Sequence, residues 1–77
     1  MIKLKNINKH GNIIEADVQI VQTHPEEFKI KVDLREQKIV SCSRKNDTFV
    51  IQALAKLIKL SEESGNKIPK QAESVWY

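Results

Sequence analysis

The sequence predicts an α+β fold: an antiparallel four- or five-stranded sheet with one amphipathic helix packed on one face. The order is β-β-β-β-α, and the fifth strand of the larger form would be a short C-terminal one. Two observations carry this expectation. Three segments alternate apolar and polar residues with period two, and from Asp47 the period changes to that of a helix. One-sided alternation puts one sheet face in a core and the other in water, and one amphipathic helix is the simplest cover for the apolar side.

In "IKLKNI", Ile2 and Leu4 oppose Lys3 and Lys5. In "IIEADVQIV", Ile14, Ala16, Val18 and Ile20 oppose Glu15, Asp17 and Gln19. Between them, "NKHGN" suits a three-residue loop, Lys9-His10-Gly11, with Gly11 in the left-handed conformation. That loop would pair Lys5 with Glu15, Lys3 with Asp17 and Leu4 with Ala16. "QTHPEE" connects to "FKIKVDL", where Phe28, Ile30, Val32 and Leu34 oppose Lys29, Lys31, Asp33 and Arg35. "KIVSCS" reads as a fourth strand with Val40 and Cys42 inward, opposite Leu34 and Val32, and Ile39 and Ser41 outward.

The segment "NDTFVIQALAKLIKLSEESG" places Phe49, Val50, Ala53, Leu54, Leu57, Ile58 and Leu60 on one wide apolar face. Gln52, Lys56, Lys59 and Glu63 form the polar stripe. Asp47 or Asn46 supplies the N-cap, and Gly65 a left-handed stop. After Pro69, "SVWY" has strand composition, with a short helix through Ala72, Val75 and Trp76 as the rival.

The 77 residues form one domain, 1–77. With 40% apolar and 30% charged residues, the chain has globular and not disordered composition. No run reaches the roughly 18 apolar residues of a membrane span, and no signal-peptide core opens the chain, so the expectation is a cytoplasmic protein without a membrane partner. The single cysteine, Cys42, cannot close an internal disulfide and reads as a small buried hydrophobe.

Catalytic, cofactor and metal constellations are not found in the sequence. There is no glycine-rich phosphate loop and no set of Ser, His and acid that this fold would gather. His10 and His24 fall at opposite ends of the second strand, without metal-ligand spacing. The chain is therefore expected to be no enzyme.

Two partners stay open. The first is a protein, or a second copy in a homodimer. Val75, Trp76 and Tyr77 are the candidate interface residues, because Trp and Tyr are enriched at interfaces. Closure of the small core is the other role open to Trp76, which removes about 150–250 Å² of surface from water when buried. The second partner is nucleic acid, held weakly through Lys29, Lys31, Arg44 and Lys45. The net charge of +3 permits this, but acids on the second strand would cancel most of the lysines on the sheet face, and that face offers no aromatic for stacking.

One resemblance narrows the first reading. "SCSRKNDTFVIQALAKLIKL" and "SGNKIPKQAES" resemble the core domain of HicB-like antitoxins at Asp47, Thr48, Ala53, Leu54, Gly65, Ile68 and Pro69. The likeness covers about residues 41–74. It departs at "VDLREQKIVSCS", which keeps only Asp33-Leu34 and a later Cys42 of the family's Asp-Leu-Pro-Gly-Cys turn. The resemblance implies a sheet packed on one helix, a strand returning after the Ile-Pro turn, and neutralisation of a small RNA-cleaving toxin by surface contact.

Overall fold

A computed structural model describes residues 2–21, 26–45, 47–64 and 67–74. Five strands, β1 (Ile2–His10), β2 (Ile13–Ile20), β3 (Glu26–Asp33), β4 (Lys38–Cys42) and β5 (Ala72–Ser74), form one sheet in the order β4-β3-β2-β1-β5. Every neighbouring pair is antiparallel. The helix α1 (Thr48–Ser64) lies on the apolar face. The α+β arrangement is the expected one, and β5 completes the five-stranded form.

The core is built from the alternating residues. Ile2, Leu4, Ile14, Ala16, Val18, Ile20, Phe28, Ile30 and Val32 are buried from the sheet, against Val50, Ala53, Leu57 and Leu60 from the helix. Each fully buried Leu, Ile, Val or Phe side chain stabilises the fold by about 1.5–3 kcal/mol relative to exposure.

Two bulges change the expected registers. The turn at the tip of the first hairpin is Gly11-Asn12, so Lys9 and His10 stay in the strand and His10 pairs with Ile13. Lys5 therefore faces Asp17, Lys3 faces Gln19 and Leu4 faces Val18, two residues from the expected register. Between Lys5 and Asn8 the pairing slips, with Asn6 and Ile7 together opposing Ala16. Strict alternation would send Ile7 to the solvent face; the extra residue turns it into the core, where it is 5% exposed. Asn6 takes the left-handed conformation (φ 53°) that the bulge requires, one that Asn tolerates better than most residues.

The same device corrects β4. Ile39 pairs with Val32 and Cys42 with Ile30, and the register shifts between them. Val40 is the extra residue and is 54% exposed, while Ile39 and Cys42 pack against the core. The expected inward Val40 and outward Ile39 are thus reversed. In both strands the inward residues stand three apart, Leu4 and Ile7 or Ile39 and Cys42, a spacing that period two cannot place on one face.

The helix begins as expected. Asp47 Oδ1 accepts a hydrogen bond from the Val50 amide at 3.1 Å, and the Asp47 carbonyl accepts from the Ile51 amide. Gln52 departs from its expected polar stripe. It is 2% exposed, and its polar atoms are partnered. Arg35, expected on the sheet face, sits in the turn between β3 and β4, where its amide donates to Asp33 Oδ1. Among the expected features, Gly65 as helix stop, His24, and Val75–Tyr77 lie outside the described residues.

Candidate interaction surfaces

The solvent face of the sheet follows from the register. Lys3, Lys5, Lys29, Lys31 and Lys38 project there beside Glu15, Asp17, Glu27, Asp33 and Glu73. Five cations against five carboxylates leave the face formally neutral. Lys31 lies 3.7 Å from Glu15, Lys5 reaches Glu27 at 3.5 Å and Lys3 reaches Glu73 at 4.0 Å. Asp17 accepts a hydrogen bond from the Asn6 side-chain amide at 2.8 Å. Pairs this exposed contribute little individually, but together they cancel the field that a polyanion would need.

Arg44 occupies the junction between β4 and α1. Its Nε donates to Asp47 Oδ2 at 2.8 Å and a terminal nitrogen donates to Glu26 Oε2. Its guanidinium carbon stands 5.7 Å from the Phe49 ring centre and 6.0 Å from that of Phe28, within reach of cation–π attraction. The hydrogen bond to Asp47, then that to Glu26, raise the Arg44 pKa above its ordinary value. For Asp47, desolvation pushes the carboxyl up, but the Val50 amide and the Arg44 side chain outweigh it, and the net direction is down. The junction is a closed electrostatic knot.

Of the residues picked from sequence as nucleic-acid contacts, Lys31 is paired with Glu15 and Arg44 with Glu26 and Asp47. Lys29 lies opposite Asp17 on β2, and Lys45 is exposed in the loop before the helix. The structure does not bring these four to one uncompensated surface. The knot around Arg44 went unread in the sequence, although an arginine three residues before an N-cap aspartate was its visible sign. No helix among the described residues is long and apolar enough to cross a membrane.

The sheet's two edges differ. β4 is guarded by its bulge and by Lys38, both of which discourage a further strand. On the other side β5 covers only Ile2–Leu4 of β1. Farther along, the Ile7 amide donates to the Lys70 carbonyl at 3.1 Å, and Asn8–His10 have no strand on that side among the described residues. Beside them runs a groove of about 440 Å³ lined by Ile7, Asn8, Lys9, Gly11, Ile68 and Lys70. No family model, no curated protein and no solved structure matches the chain.

Proposed function

We propose that this chain is a non-catalytic interaction module that binds another polypeptide, a partner protein or a second copy, by surface contact. The observation that supports it most is the stretch of β1 at Asn8–His10 that no described strand covers, beside a groove. An uncovered strand offers main-chain donors and acceptors to an added strand. The antitoxin-like form of the reading rests on the resemblance at Asp47-Thr48, Ala53-Leu54 and Ile68-Pro69. Nucleic-acid binding is less favoured, because Lys31 and Arg44 already face carboxylates.

The test follows backbone amides by NMR while the chain is concentrated, and again while neutral strand-forming peptides of alternating Val and Thr are added. Shifts at Asn8–His10 in either series support the reading. A chain that stays monomeric, with those amides unmoved by every peptide, removes it.

A further inference from the structure

The chain's formal charge of +3 cannot reside on the sheet face, where five lysines meet five carboxylates. Two of the eight other cations are engaged. Arg44 is held by Glu26 and Asp47, and Lys59 lies 3.8 Å from Glu63. Lys9, Arg35, Lys45, Lys56, Lys67 and Lys70 make no ion pair among the described residues. Two of these six, Lys9 and Lys70, line the groove beside the end of β1 that no described strand covers, and among the described residues no carboxylate lines it.

The groove has three kinds of recognition surface together. Ile68 is half-buried in its wall and offers apolar contact. Lys9 stands on the hairpin side and Lys70 on the segment leading to β5. The backbone of Asn8–His10 supplies an edge three residues long, the same length as the pairing that holds β5 to β1. Among the described residues no stacking aromatic lines it, and two lysines are few for phosphate tracking. An extended peptide uses all three surfaces; a nucleic-acid strand uses only the lysines.

We infer that the end of β1 left uncovered by the described strands takes an acidic, extended segment of a partner protein as an added strand, with its carboxylates against Lys9 and Lys70 and its apolar side chains against Ile68. The inference rests on the interaction-module reading and adds the chemistry of the partner. Charge complementarity at the rims would mainly speed encounter and reject basic competitors, while the backbone and Ile68 would hold the complex.

The experiment titrates isotopically labelled chain with three acetylated, amidated hexapeptides: alternating Val-Glu, alternating Val-Thr and alternating Val-Lys. A short single-stranded oligonucleotide is a fourth arm. The expected result is amide shifts at Asn8–Gly11 and Ile68–Lys70 with the Val-Glu peptide, weaker with Val-Thr and absent with Val-Lys. Raising salt through the range where the Debye length falls from about 30 to 8 Å should weaken the Val-Glu complex. Reversing both rims with Lys9→Glu and Lys70→Glu should cost about tenfold in affinity. Both side chains are exposed, so the thermal midpoint should hold, and Lys9→Gln with Lys70→Gln gives a milder control.

Equal binding of all three peptides at these amides would overturn the acidic partner while keeping the module reading. Silence of all three peptides there would overturn the acidic partner, and in a chain that also stays monomeric on concentration it would overturn the module reading as well. An oligonucleotide that shifts these amides where the Val-Glu peptide does not would assign the groove to nucleic acid instead.

Discussion

Arg44 and Asp47 meet at 2.8 Å, and the carboxylate that receives the guanidinium also caps the helix, one oxygen for each task. The loop between β4 and α1 is thereby fastened at the helix start. Through Glu26 the same arginine ties that start to β3.

Asp47→Ala should destabilise the fold by about 1 kcal/mol, with about 0.5–2 as the range for lost N-caps. Asp47→Asn keeps an oxygen for the Val50 amide and should lose less. Urea unfolding of the two variants separates cap from ion pair. If Asn is as costly as Ala, the arginine contact is the larger contribution.

The Asp47 pKa is lowered in the fold, so its ionised form is favoured by folding. The stability it adds is complete above the unfolded-state value, about 3.9, and is lost as pH falls through the lower folded value. A plot of unfolding free energy against pH should therefore decline below about pH 4. Asp47→Asn should flatten part of that decline; an unchanged slope would place the acid sensitivity elsewhere.

Gln37 and Gly11 both sit at positive φ, 54° and 59°. An L-residue there costs about 1–2 kcal/mol, against about 0.5–1 for the extra freedom glycine loses on folding. Gln37→Gly should accordingly raise the melting temperature by an amount equivalent to about 0.5–1 kcal/mol. Gly11→Ala should lower stability by about 1 kcal/mol, purely through the backbone, because nothing lies within 4 Å of the added methyl position.

The balance on the sheet face makes its carboxylates the element that keeps polyanions away. Glu15→Gln with Glu27→Gln releases Lys31 and Lys5 from their partners. At low salt the double variant should bind single-stranded DNA more tightly than the parent, with a salt slope increased by roughly 1–2. Fluorescence anisotropy reads this directly, and identical curves would mean that the lysines were never masked.

Ile7→Ala should cost about 2–5 kcal/mol as a buried large-to-small change, while Val40→Ala should stay within about 0.5 kcal/mol as an exposed one. Simple alternation ranks these two residues the other way. Calorimetry on both variants tests whether the bulges place them as described.

Much of the fold was legible because the signals were redundant. Ile14 to Ile20 and Phe28 to Val32 alternate without interruption, and their pairing carries no bulge. Asp47 is a strong capping residue immediately before an apolar run with helical spacing. Legibility ended where one extra residue was inserted. Asn6 and Val40 shift the facing of every residue beyond them, and only the three-residue gap between inward side chains records it. The surface proposed for interaction was harder still. The groove lines up Lys9 with Lys70, 61 positions later in the sequence, and no local pattern connects them. Arg44 looked like a free cation because its partner Glu26 arrives from a different strand.

The adjacency of β1 and β5 has a consequence for biosynthesis. As the chain leaves the ribosome, its first strand emerges early and its flank stays bare until residues 72–74 follow, after the hairpins and helix between them have been made. Joining segments so distant in sequence is the slowest kind of contact to form. During that interval the nascent sheet exposes more of β1 than the finished protein does, so the first strand stays bare along its flank until the last one closes it.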